Sequence, residues 1–159
     1  MKRVIRPIRR LSIPTISLFL GGSIYICFRS ESILLFTWFD NIGLSNEINL
    51  IRTKTLPFAE VIPEWCIYSL PDGLWLFSYV ATIYAIWGKD RPSNLWIYFI
   101  PVLAIFSEIG QLFSFVPGTF DLVDIVFYLL GTLTPKFFFN LEWNQKHKLC
   151  YWKDYYPFL

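Results

Sequence analysis

Residues 11–28 run for eighteen positions without a charged side chain, and apolar runs of similar length recur at 71–87, 95–115 and 121–139. A stretch of about 18 apolar residues is long enough to cross a hydrocarbon core as a helix, whereas a helix buried in a soluble protein seldom holds more than about 10–14. The rest of the chain agrees. Of its 159 residues 55% are hydrophobic and only 16% charged, against roughly 25% charged in a soluble domain. The sequence predicts an all-α membrane protein, a single membrane domain over 11–139 with four transmembrane helices at those four stretches. The basic residues lie beside the spans rather than on one soluble face, which argues against a nucleic-acid partner.

Residues 1–10 form a basic arm with Lys2, Arg3, Arg6, Arg9 and Arg10. Such an arm before an apolar run also opens a secretory signal, but no A-x-A site follows, and Ile24, Tyr25 and Ile26 precede Cys27 where a lipoprotein site needs a small residue. The run reads as an uncleaved first span. Residues 30–70 mix Trp38, Phe39 and Ile48 with Asp40, Asn46 and Glu47. That is too polar to span and fits one or two amphipathic helices lying in the membrane interface, cut short by Pro57, Pro63 and Pro71. Residues 140–159 form an aromatic and basic tail set against the membrane surface. With the N-terminus in the cytoplasm, eleven of the 14 Lys and Arg fall on cytoplasmic segments, and only Arg29, Arg52 and Lys54 fall outside. The positive-inside rule therefore gives an N-in, C-in protein of the cell (cytoplasmic) membrane.

This topology gathers acidic residues at the outer ends of three spans. Asp72 lies in the first turn of span two, and Asp121 and Asp124 stand at the N-cap and N3 positions of span four. Glu108 lies about seven residues below the outer end of span three, roughly 10 Å deep, with Gln111 one turn nearer the surface. Tyr128 and Gly131 continue the face of Asp124. Clustered carboxylates in poor solvent cannot all stay ionised alone, which leaves three resolutions: pairing with Arg29, the nearest cation; a shared proton; or a bound divalent cation. A plainer reading makes Asp72 and Asp121 helix caps in contact with water, and Glu108 and Gln111 an interhelical clamp. Intramembrane carboxylates are functional candidates by default, so Glu108 and Asp124 are the candidate catalytic groups. Asp72, Gln111, Asp121, Arg29 and Tyr128 are the candidate binding groups. The one histidine, His147, falls in the cytoplasmic tail, so a nucleophile–histidine mechanism on the outer face is excluded. Cys27, Cys66 and Cys150 show no metal-type spacing and read as free thiols.

The run Glu108-x-x-Gln111, a short turn, then Asp121-x-x-Asp124 and Gly131, with Asp72 opening the preceding span, resembles the VanZ-like family of small multipass membrane proteins. The resemblance covers roughly residues 71–135. The chain departs from the family pattern where an arginine, an asparagine, a lysine and a histidine are usual; Gly118, Tyr128, Gly73 and Leu76 stand there instead. The acidic half of the pattern is kept and the basic half is lost. The expectation is a VanZ-like protein of a bacterial-type cell envelope, with an outward-facing acidic pocket that recognises or modifies an envelope lipid or glycan ligand. The alternative is a non-catalytic accessory subunit whose polar cluster packs helices or docks a membrane protein partner.

Overall fold

The computed structural model describes residues 2–31, 34–87 and 94–155, with side chains described over 10–31, 34–87 and 95–139. The helices are α1 (Lys2–Phe28), α2 (Leu34–Asn41), α3 (Ser45–Thr55), α4 (Glu64–Tyr68), α5 (Leu70–Trp87), α6 (Asn94–Leu112) and α7 (Leu122–Tyr155), with a 3-10 turn at Leu56–Glu60 between α3 and α4. No strand occurs among the described residues. Residues Arg10–Phe28 of α1, Leu95–Leu112 of α6 and Leu122–Phe139 of α7 are each long and apolar enough to cross a membrane. By that measure the chain is a multipass membrane protein. The hydrophilic turn with Lys89 and Arg91 lies outside the described residues, as do the side chains of His147 and Cys150.

Helix α5 sits between α1 and α7 and makes its largest contacts with both. Its pairing with α1 is antiparallel. The Ser78 hydroxyl donates to the Pro14 carbonyl at 2.8 Å, and the Ser17 hydroxyl donates to the Leu74 carbonyl at 3.1 Å. A Cβ at Gly21 would meet Trp75 and the carbonyl of Pro71. Along α7 the pairing is parallel: Gly73 faces Phe127 and Gly131, and Tyr84 stacks on Phe139 at 6.0 Å. Buried serines that hydrogen-bond to a neighbouring backbone, and glycines at crossings, are what hold helices together where lipid removes most of the hydrophobic driving force.

Helices α1 and α6 therefore finish at the same end of the bundle at which α5 and α7 begin. The apolar core lies toward the opposite end, where Val80, Ala81, Ile83, Tyr84, Ala85, Ile97 and Phe139 pack together. Large apolar side chains outside this core are mostly exposed, including Phe19, Leu95, Phe106 and Phe137. They form the surface that a helix bundle turns to lipid.

Three expected boundaries move. Helix α6 ends at Leu112, three residues before the expected 115. The Phe115 N–H bonds the Gly110 carbonyl at 2.8 Å and the Ser114 N–H bonds the Gln111 carbonyl at 3.0 Å. This Schellman arrangement places Ser114 in the left-handed region, φ 58°. Glu108 thus lies four residues from the helix end, about 6 Å rather than about 10 Å along the axis. Helix α7 does not stop near Pro135 but continues to Tyr155. Proline forfeits one backbone bond, here to Gly131, a loss that packed membrane helices tolerate. The basic arm likewise belongs to α1, which starts at Lys2.

Residues 34–68 form four short helical pieces, more than the one or two expected, laid across the end where α5 and α7 begin. Their tether is Arg52, which is 5% exposed. Its Nη1 donates to the Ile26 carbonyl at 2.7 Å, its Nε donates to Glu31 Oε1 at 3.3 Å, and its guanidinium lies 4.8 Å from the Phe36 ring centre. Ile26 is one of the last four residues of α1, whose carbonyls lack intrahelical donors, so Arg52 caps α1 while pinning α3. Hydrogen bonds to a charged group contribute about 1.5–3 kcal/mol. Arg52→Ala is expected to free residues 34–60 and accelerate their cleavage in limited proteolysis; unchanged cleavage would assign the tether elsewhere.

Candidate functional site

The local chain chemistry at the start of α7 governs the site. Asp121 is the N-cap: its Oδ1 accepts the Val123 N–H at 2.8 Å. In a capping box the N3 carboxylate would reach back to the N-cap N–H. Here Glu108 of α6 does that instead, its Oε1 accepting the Asp121 N–H at 2.7 Å. Glu108 is 2% exposed and thereby ties the end of α6 to the start of α7. The substitution leaves Asp124, the N3 residue, released from capping. Its Oδ1 is buried and has no hydrogen-bond partner.

Arg29 follows α1 directly and turns back over the bundle end. Its Nη2 lies 3.7 Å from Asp72 Oδ2 and donates to the Tyr68 carbonyl at 3.2 Å. The guanidinium is held between the rings of Tyr25 and Tyr68, at 5.2 and 5.1 Å. Both charged side chains are about three-quarters buried. Arg29 Nε is buried and unpartnered, as is the hydroxyl of Ser69, a residue only 1% exposed.

These groups surround a cavity of about 500 Å³. Its walls carry Arg29, Glu64, Trp65, Tyr68, Ser69, Thr119, Asp121 and Asp124. Three polar atoms that lack hydrogen-bond partners, Arg29 Nε, Ser69 Oγ and Asp124 Oδ1, belong to residues of this one wall. All three atoms are themselves buried behind the wall and do not open onto the cavity.

Of the sequence candidates, Arg29, Asp121 and Asp124 line the cavity. Asp72 supports it through Arg29. Glu108 supports it through Asp121, and is not itself in the wall. Gln111 packs on the loop, where its amide would press on any Cβ at Gly118, whose φ is +141°. Tyr128 is half-buried one turn below Asp124. Glu64, Trp65, Tyr68, Ser69 and Thr119 were not singled out as site residues. Only Ser69, just before Leu70-Pro71-Asp72, carries a local signal, as a polar residue at a helix start. Its hydroxyl makes no cap. Among the described residues, no three His, Cys, Asp or Glu side chains are grouped so as to hold a metal ion.

Comparison with family models, curated proteins and solved structures yields no match to this chain.

Proposed function

We propose that this is a four-span, N-in and C-in protein of a bacterial-type cytoplasmic membrane, VanZ-like in its acidic residues, whose cavity faces outward and recognises an envelope lipid or glycan-bearing ligand. The observation that carries this reading is the cavity itself, whose wall sets Arg29, Glu64, Asp121 and Asp124 beside Trp65 and Tyr68. Charged residues of both signs beside the aromatic residues Trp65 and Tyr68 form a mixed polar and aromatic lining suited to a headgroup or sugar. Four spans follow if α5 crosses with its neighbours. It is 18 residues long, about 27 Å at 1.5 Å per residue, and it lies antiparallel to α1 and parallel to α7. An outward cavity follows from the charge asymmetry, because the end bearing Arg29 is poor in Lys and Arg.

A second reading, a scaffold subunit, draws on Glu108, whose bond to Asp121 is structural. The two are separated by melting the detergent-purified protein with and without a bacterial polar lipid extract. For a ligand site, Ser69→Ala and Asp124→Asn leave the ligand-free melting temperature unchanged and abolish the lipid-induced rise, which at a hundredfold excess over Kd corresponds to about 2.7 kcal/mol. For a scaffold, Asp124→Asn shifts melting equally with and without lipid. Glu108→Gln retains an acceptor for the Asp121 N–H and is expected to fold under either reading.

A further inference from the structure

At the end of the bundle away from the cavity, α1 opens on a basic segment that the site does not use. Lys2, Arg3, Arg6, Arg9 and Arg10 all belong to the helix, which starts at Lys2 and holds no acidic residue. At about 100° per residue the five fall within an arc of about 120°. Val4, Ile8 and Leu11 take the opposite arc, and Leu11 packs against the apolar core. Holding a span in one orientation needs Lys and Arg near its end. It does not need them on one face. A helix with a basic face and an apolar one is suited to meeting a charged lipid surface.

Packing sets the depth of that face. Helices α1 and α5 are antiparallel, with Ser78 opposite Pro14 and Leu74 opposite Ser17. Continued on the same register, Tyr84 stands level with Ile8. Tyr84 stacks on Phe139, where the apolar stretch of α7 ends. Ile8 and Phe139 therefore mark one level, the edge of the hydrocarbon, and Arg6, Arg9 and Arg10 lie within about 3 Å of it along the helix axis. Lys2 and Arg3 lie about 8–9 Å beyond it. Headgroups fill roughly 5–7 Å outside the hydrocarbon, so the anions available to Arg6 and Arg9 at this depth are lipid phosphates. Helix α7 brings Lys136 and one acid, Glu142, near the same level. We propose that the basic face of α1 is a binding site for an anionic phospholipid in the leaflet where α1 begins, with Arg6 and Arg9 as its principal cations. The charge of the face selects the lipid, and the site is independent of the cavity at the other end.

The test purifies the full chain in detergent micelles that carry phosphatidylglycerol and phosphatidylcholine in equal amounts, and quantifies the retained lipids by mass spectrometry. One Lys or Arg near a charged membrane contributes about fivefold in affinity. The parent is therefore expected to favour the anionic lipid by about tenfold or more, and Arg6→Gln with Arg9→Gln to lower that ratio about tenfold. Arg6→Lys with Arg9→Lys keeps the charge and should hold the ratio near the parent value. Lys54→Gln, at the cavity end, should leave it unchanged. Raising salt from about 0.1 M to about 1 M shortens the screening length from about 10 Å to about 3 Å and should bring the parent's ratio close to unity. That comparison decides the matter if the glutamine pair does not fold. Excess soluble glycerophosphoglycerol should not displace the lipid. A parent ratio near unity, a preference that survives high salt or the glutamine pair, an equal loss with Lys54→Gln, or displacement by the soluble headgroup overturns the proposal.

Discussion

Gly131→Ala is expected to destabilise the protein by about 2–3 kcal/mol, and Gly131→Val by more, in the range of overpacked cores. Helix propensity alone predicts the opposite sign, because alanine is favoured over glycine within a helix by about 1 kcal/mol. Packing wins here. A Cβ at Gly131 would collide with the backbone oxygen of Gly73 and come within 3.1 Å of the Phe77 nitrogen. Both obstacles are backbone, so no side chain can swing aside, and relief requires α5 and α7 to move apart along their longest contact. Gly22 supplies the control. It also lies within a helix, but nothing stands within 4 Å of where its Cβ would be, so Gly22→Ala should be neutral or stabilising by up to about 1 kcal/mol. Unfolding in detergent, followed by helical signal against denaturant, gives both signs. A Gly131→Ala variant as stable as the parent would mean the two helices do not cross at that distance.

How far the sequence reaches depends on whether a feature is local. Span-length apolar runs survive in any tertiary setting, so the all-helical membrane character was legible, and α5 begins and ends within one residue of its expected 71–87. The ends of α6 and α7 were not. Ser114 adopts a left-handed backbone with no glycine to announce it, while Pro135, a usual stop signal, lies inside α7. The site divides the same way. Asp121 and Asp124 at N-cap and N3 are a local pattern, and charge accounting singles out Arg29 as the nearest cation. Trp65, Tyr68 and Ser69 line the cavity through contacts distant in sequence, Trp65 on Phe127 and Tyr68 against Arg29. That Glu108 replaces Asp124 in the capping box depends on two helices meeting, and nothing in either segment states it.

Arg29→Met is expected to lower stability by about 2–3 kcal/mol. Removing one partner of a fully buried ion pair costs about 3–5 kcal/mol. The lower figure applies because Arg29 and Asp72 each keep about a quarter of their side-chain exposure and water relieves part of the loss. Two ring contacts, worth about 0.5–1 kcal/mol each where exposed, and the bond to the Tyr68 carbonyl go with the guanidinium. Methionine keeps much of the bulk between Tyr25 and Tyr68, so the change isolates charge from volume. Asp72→Asn keeps an oxygen facing Arg29 and should cost about 1 kcal/mol, as for an ordinary hydrogen bond weakened by loss of charge. The double variant no longer leaves a carboxylate facing an apolar chain. It should be less destabilised than the two singles together, with a coupling of at least about 1 kcal/mol, well inside the range for contacting residues. Arg29→Lys should rescue only in part, since an ammonium can pair with Asp72 but cannot lie flat between two rings. Additive singles would show that Arg29 is held by the tyrosines and not by Asp72. The guanidinium would then stay fixed between its two rings, and Asp72 would be the unpaired group at this end of the bundle.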